Sequence, residues 1–239
     1  MAGVNFNHAM IQKSETLARI PLFRSLPADV IDRIDRQCIW RRWAAEEWIL
    51  DYKDEGSDLY FVLQGHVRVL IRAISGKESI LRDIHDGEFF GELAAIDGQR
   101  RSAAILAITD STLAKMPPAV FRTIVHQHPD VCDQLLSLLA SQIRMLANRV
   151  NEFGRLDIRG RLHAELLRLS RPGRDGEKAA VISPPPTHAE LAARVSCRRE
   201  AVTRELNRLK RERLLETRRG ALVLLDPTRL ARLIEASDE

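Results

Sequence analysis

From Cys132 to Phe153 the apolar residues Cys132, Leu136, Leu139, Ile143, Leu146, Val150 and Phe153 recur in alternating steps of four and three. An α-helix turns once in about 3.6 residues, so this spacing draws one narrow apolar stripe along a helix predicted from about Pro129 to Phe153. Such a heptad stripe drives helix pairing through a/d packing. It predicts a parallel homodimer whose seam is Leu136, Leu139, Ile143, Leu146, Val150 and Phe153. The other side of the same helix is free to pack on its own domain.

Upstream of that helix the pattern is different. From Ile39 to Met116 short β-type runs (Leu59–Leu63, Val67–Ile71, Ser79–Leu81, Ala103–Ile108) are punctuated at Asp54–Ser57, Gln64-Gly65, Ser75-Gly76-Lys77 and His85-Asp86-Gly87. Regular turns between short strands predict a β-sandwich or barrel. Short helices precede it, with Pro27 opening Ala28–Gln37, and Ala119–His126 follows Pro117-Pro118. Downstream, Gly154 is expected to break the long helix, with Gly154–Leu156 as a hinge. Asp157 then caps a helix over Ile158–Leu169.

The chain has 239 residues, enough for two modest domains. No run approaches about 18 apolar residues, so no transmembrane helix is expected, and the N-terminus lacks the pattern of a secretory signal. Cys38, Cys132 and Cys197 are too scattered for a disulfide framework or a zinc site, which fits a cytoplasmic protein without a metal. No nucleophile–base pair or Walker loop is visible, which argues against an enzyme.

Charge is divided unevenly. Residues 1–150 carry 18 Lys+Arg against 19 Asp+Glu, whereas residues 151–239 carry 19 against 14. Ten basic and four acidic residues fall within 194–219. That concentration points to a polyanion, because neutralised phosphates release counterions.

The same window reads as a helix-turn-helix. Thr187 caps Ala189–Val195, Ser196-Cys197 makes the turn, and Arg198–Arg211 forms the second helix. Leu191, Val195, Ala201, Val202, Leu206 and Leu209 sit at core spacing, leaving Arg199, Glu200, Thr203 and Arg204 outside. Leu214–Thr217 and Ala221–Leu225 form a small wing with Arg218-Arg219-Gly220 at its tip. Arginine reads guanine bidentately and glutamate accepts from cytosine, so the exposed set suits base edges in a major groove.

A second constellation runs Phe90-Gly91-Glu92-Leu93-Ala94, followed by Arg101-Ser102-Ala103. Glu92 accepts hydrogen bonds, and Arg101 is a fork-shaped donor suited to phosphate. Gly91 lets a ligand approach the backbone, and the short helix after it offers N–H groups to an anion. A ribose hydroxyl at one end and a phosphate at the other describe a small cyclic nucleotide.

This segment resembles the phosphate-binding cassette of cyclic-nucleotide-binding domains, F-G-E-L/I-A followed by R-S/T/A-A. Cys197-Arg198-Arg199-Glu200-Ala201-Val202-Thr203-Arg204 resembles the recognition motif C-S-R-E-T-V-x-R. Together they are similar to the Crp–Fnr superfamily of bacterial transcription regulators, on its cAMP receptor protein-like branch. The resemblance implies an α+β chain. Its parts would be an N-terminal β-roll domain of double-stranded β-helix (jelly-roll) type (1–128), a long dimerisation helix with hinge (129–154) and a C-terminal winged helix-turn-helix (155–239). It further implies cAMP as allosteric ligand on Gly91, Glu92, Leu93, Ala94, Arg101 and Ser102; the Ser102 hydroxyl, able to bond a syn guanine, and Arg82 near the purine edge extend the expectation to cGMP.

The family's hydroxyl pair on the long helix aligns with Leu146-Ala147, so both adenine donors are absent, which weakens selection for adenine. By the same resemblance Arg198, Arg199, Glu200, Thr203, Arg204, Arg218 and Arg219 contact a TGTGA-like palindrome to control transcription. Arg198 replaces the motif's serine and Ala201 its threonine, so some phosphate contacts differ. The loop Arg171–Glu177 would be a surface for RNA polymerase. Rival effectors are cyclic-di-GMP and haem, the latter through His66 or His85. A kinase regulatory subunit is a rival of another class, opposed by the helix-turn-helix.

Overall fold

The structure is a computed structural model that describes residues 15–52, 54–72, 78–173 and 178–235. The predicted turn Ser75-Gly76-Lys77 and the Arg174–Glu177 part of the predicted polymerase loop lie outside the described residues. The chain divides into two compact units. The first runs to Leu139 apart from Gly76–Ile80, and the second takes in those residues and everything from Ala140.

Toward the N-terminus, mostly within the first unit, α1 (Ala28–Asp35) precedes β1 (Ile39–Trp43), β2 (Trp48–Leu50), β3 (Leu59–Gln64), β4 (His66–Arg72), β5 (Glu78–His85) and β6 (Phe89–Phe90). A short helix α2 (Glu92–Asp97), strands β7 (Ala104–Ala107) and β8 (Ser111–Met116), and helices α3 (Pro118–Gln127) and α4 (Pro129–Arg155) follow. Two antiparallel sheets result, ordered β1-β8-β3-β6 and β2-β7-β4-β5.

Strand β3 shows why they stack. Successive side chains of a strand point to opposite faces. Tyr60 and Val62 join a core with Leu50, Val67, Ile84 and Ile105 of the other sheet. Leu59, Phe61 and Leu63 pack against Phe23, Ile31, Ile34, Phe121, Val131 and Leu135 on the helical side. A strand buried on both faces reads as one apolar run, as Leu59–Leu63 does. The turn into β4 depends on Gly65, whose φ is +116° and where a Cβ would lie 2.2 Å from Ser111 Oγ.

Helix α4 uses Val131 and Leu135 for its own core, and Leu139 packs partly against it. The rest of the predicted seam is open, with Leu136 57%, Ile143 67%, Leu146 46%, Val150 73% and Phe153 39% exposed. The helix runs through Gly154 to Arg155, so Gly154 does not break it. Glycine costs only about 1 kcal/mol in a helix interior, too little to end a helix of this length. The break falls at Leu156-Asp157, where the Asp157 carboxylate accepts from Gly160 N at 2.8 Å and starts the next helix.

The second unit contains the rest of α4, then α5 (Ile158–Leu169), β9 (Arg171–Pro172), β10 (Ala180–Ile182), α6 (His188–Arg194) and α7 (Arg199–Arg211). It closes with β11 (Leu215–Arg218), β12 (Ala221–Leu224) and α8 (Pro227–Glu235). The strands form one antiparallel sheet, β11-β12-β10-β9. Leu162, Leu166, Leu191, Val202, Leu206 and Leu209 meet Leu222, Leu224 and Leu230 in its core. Thr187 and Glu190 form a reciprocal capping box that fixes the start of α6. Among the described residues no helix is long and apolar enough to cross a membrane.

Candidate nucleotide and DNA sites

One cavity of the first unit is lined by Arg82, Gly91, Glu92, Leu93, Ala94, Arg101 and Ser102, seven residues that the sequence singled out. Its apolar wall comes from both sheets, including Leu50, Val69, Ile84, Phe90 and Ile105, which alternation alone could not assign to a ligand. Leu146 and Ala147 are exposed on α4 in the other unit.

Arg101 is the centre of this cavity's chemistry. It is 4% exposed, and its Nη2 donates to Asp58 O at 2.8 Å and its Nη1 to Gly91 O at 3.3 Å. These backbone bonds aim the guanidinium without neutralising it. Its buried Nε–H has no partner among the described residues, so the group is preset for an anion that supplies further acceptors. The Tyr60 ring lies 6.0 Å from the guanidinium carbon and stacks on Phe90 at 5.1 Å.

Gly91 has φ +85° and stands at the N-terminus of α2. A Cβ there would lie 2.7 Å from Arg101 Nη1 and 2.9 Å from Asp58 O, so this position requires glycine for both conformation and space. Glu92 is 8% exposed. Burial pushes its carboxyl above the usual range, against the opposing pull of its own backbone N–H and the charges of Arg82 and Arg101. Arg82 is tied down by Nη2 to Phe89 O at 3.3 Å and by an ion pair to Glu88 at 3.7 Å.

In the second unit Arg198, Arg199, Glu200 and Arg204 are exposed on α7 or at its cap, and Arg218 and Arg219 are exposed at the wing tip. Thr203 differs from the sequence expectation. It is half-buried, its hydroxyl donates to Arg199 O at 3.1 Å, and it contacts His188 Nδ1 at 2.8 Å. A threonine hydroxyl in mid-helix bonds back to the preceding turn, and here it also meets His188 at the start of α6. His188, at the start of α6, was missed because a lone histidine carries no local signal for such a contact.

The histidines of the rival haem reading, His66 and His85, stack on each other at 4.5 Å, with His66 Nε2 3.3 Å from Asp83. Among the described residues no group of three or more His, Cys, Asp or Glu side chains could hold a metal ion.

Residues 40–128 match the cyclic nucleotide-binding domain family, and residues 160–233 match the Crp-like helix-turn-helix domain family. The chain is 28% identical over 193 residues to the cAMP-activated global transcriptional regulator CRP of Salmonella typhimurium, covering 78% of this chain and 90% of that one. It is 29% identical over 203 residues to the cAMP-activated global transcriptional regulator Vfr of Pseudomonas aeruginosa, covering 81% and 92%. Among solved structures, a CooA mutant from Carboxydothermus hydrogenoformans superposes with a TM-score of 0.73 at 21% identity, over 84% of this chain and 90% of that one. With a cyclic nucleotide-binding domain ahead of a Crp-like helix-turn-helix, the chain belongs to the Crp–Fnr superfamily of transcription regulators.

Proposed function

We propose that this regulator is a homodimer that binds cAMP, and also cGMP, in the Arg101 cavity and then a TGTGA-like palindrome through α7. The observation that carries the ligand reading is the buried Arg101 guanidinium, aimed by two backbone carbonyls and still holding an unpartnered N–H. Arg101 and Ser102 hold the cyclic phosphate, and Glu92 accepts from the ribose 2′-hydroxyl. Leu146 and Ala147 provide no hydroxyl to the base, which leaves adenine and guanine weakly distinguished. The exposed apolar stripe of α4 is the dimer seam, since a parallel partner would cover Ile143, Leu146 and Val150 together.

The deciding experiment titrates DNA carrying a TGTGA palindrome against the protein alone, with cAMP and with cGMP. Enhancement by either nucleotide supports the reading. Absence of nucleotide binding at about 50 μM, an affinity weaker than about −6 kcal/mol, would refute the ligand assignment and leave the DNA assignment standing.

The raised carboxyl of Glu92 gives that titration a pH signature. The ionised group is the better acceptor for a ribose hydroxyl, so affinity should fall on acidification, beginning above the ordinary glutamate value of about 4.3. Glu92→Gln should bind more weakly at neutral pH and lose that slope. A slope unchanged in Glu92→Gln assigns the titration to another group.

At the DNA end, Arg199→Ala should cost about 1–3 kcal/mol and relax specificity at one guanine. Competition with single-base operator variants measures both. An equal loss on every sequence would place Arg199 on phosphate instead.

A further inference from the structure

A cluster of five charged side chains joins three helices of the second unit. Glu165 of α5 is 1% exposed, and its Oε2 receives Arg149 Nη1 of α4 at 3.3 Å together with Arg168 Nη1 of its own helix. Its Oε1 faces Arg194 Nη1 of α6 at 3.5 Å. Arg168 Nη2 reaches back to both oxygens of Glu152 on α4, at 2.6 and 2.7 Å. Arg149 also spends its second amino group on the carbonyl of Arg194, the last residue of α6, at 2.6 Å.

Three guanidinium groups thus share two carboxylates. Buried ion clusters contribute little net stability over well-packed apolar side chains, and their best-attested use is to fix one arrangement among several. An arrangement is what needs fixing here. Only Leu156-Asp157 separates α4 from α5. Arg149 places a cation at the C-terminal carbonyl of α6, the negative end of its dipole. Helix α6 in turn packs on α7 through Leu191 and Ala192.

We propose that Arg149 and Glu165 are positioning residues for operator reading. They lock α6, and with it the reading helix α7, to the C-terminal half of α4. The proposal rests on the reading of α7 as the operator-reading helix given above.

The test uses the full chain as wild type, Arg149→Met and Arg149→Lys. Fluorescence anisotropy on the TGTGA palindrome and on a scrambled duplex, with and without cAMP, gives the discrimination ratio. Hydrogen exchange follows the last turn of α6. Arg149→Met should keep its affinity for scrambled DNA within about twofold, since no DNA contact is lost. It should lose discrimination at least about tenfold, with at least about tenfold faster exchange at Arg194–Arg198. Arg149→Lys keeps the charge but cannot bridge Glu165 and the Arg194 carbonyl with a planar fork, so it should lose discrimination as Arg149→Met does.

Unchanged discrimination or unchanged exchange in Arg149→Met overturns the proposal, as does full rescue by lysine. A wild type whose discrimination ignores cAMP rejects the nucleotide reading alone, because the comparison of Arg149→Met with wild type is then made without ligand. If wild type does not distinguish the two duplexes, there is no operator reading to position and the proposal falls together with the DNA reading.

Discussion

Arg101→Met should remove cyclic nucleotide binding while leaving the β-roll folded. Methionine keeps the length and apolar stem of the side chain but none of its donors. Among the described residues the guanidinium is the one buried cation in the cavity wall, and its two backbone bonds hold it in place before any ligand arrives. Hydrogen bonds to charged groups contribute about 1.5–3 kcal/mol each, so losing a bidentate phosphate contact should weaken binding by about 100-fold or more. Lysine should not rescue it, because a point charge cannot accept the direction set by Asp58 O and Gly91 O and still offer a fork.

Gly91→Ala should fail for a complementary reason. Its Cβ would meet Arg101 Nη1 at 2.7 Å and Asp58 O at 2.9 Å, so the arginine must leave its seat even though it is still present. Fluorescent-nucleotide titration, with circular dichroism as the folding control, checks both variants. Wild-type affinity in folded Arg101→Met would remove the cavity from consideration as the phosphate site.

What could be read from the sequence was local. Asp157 and Thr187 are caps whose partners lie three residues away, so α5 and the start of α6 were legible to within a residue. The cassette was legible because Gly91, Glu92, Arg101 and Ser102 fall in one short stretch around one turn and one helix. What sets Arg101 in place was not legible. Asp58 acts through its backbone carbonyl, 43 residues away, and any residue type supplies a carbonyl. Strand β1, with Arg41 and Arg42 between tryptophans, shows little alternation because most of its residues are exposed.

The buried ions of the second unit were invisible for another reason. Glu165, Arg194 and Glu205 are charges at positions that look solvated in any periodic pattern, and each is at most 5% exposed. Beside partners on their own helices, they meet charges on other helices up to 42 residues away in sequence, so only the packed structure shows these contacts. The Thr203 hydroxyl was hidden in the same way, since its contact with His188 Nδ1 comes from another helix.

The most damaging single change in the second unit should be Glu205→Leu. Glu205 sits on the inner side of α7, 5% exposed, and its Oε1 lies 2.7 Å from His163 Nε2 of α5. Arg208 grips both of its oxygens at 2.6 to 3.1 Å, and Arg159 lies 3.6 Å away. Removing the carboxylate leaves the buried His163 Nε2–H without its acceptor, while Arg208 loses its Glu205 bonds and keeps Glu212 at 2.6 Å, which should together cost about 1–3 kcal/mol. The double change His163→Leu with Glu205→Leu should recover part of that loss, because it removes the orphaned imidazole.

The same pair makes the unit acid-sensitive. Burial lowers the His163 pKa, against the hydrogen bond and charge of Glu205, with Arg208 adding to the lowering and Asp157 opposing it. A neutral His163 donates from Nε2 to Glu205, and its Nδ1 is buried without a partner among the described residues, so a second proton would find no acceptor among them. A base whose folded pKa is depressed takes up protons more readily when unfolded. Stability is therefore intact above about pH 6.5 and falls as pH drops below it.

Glu205 acts in the same direction at lower pH. Burial alone would raise its carboxyl, but the hydrogen bonds from Arg208 and His163 outweigh that and hold it below the usual range. Its contribution is lost only as pH falls through the ordinary carboxylate region toward that lowered value. Urea unfolding of wild type and His163→Asn between about pH 7.5 and 5.5 isolates the first step, since no carboxylate with a lowered pKa titrates there. Wild type should lose stability across that interval and His163→Asn should not. Parallel profiles would assign the acid sensitivity to another histidine and leave the Glu205 prediction to stand on the ion pair alone.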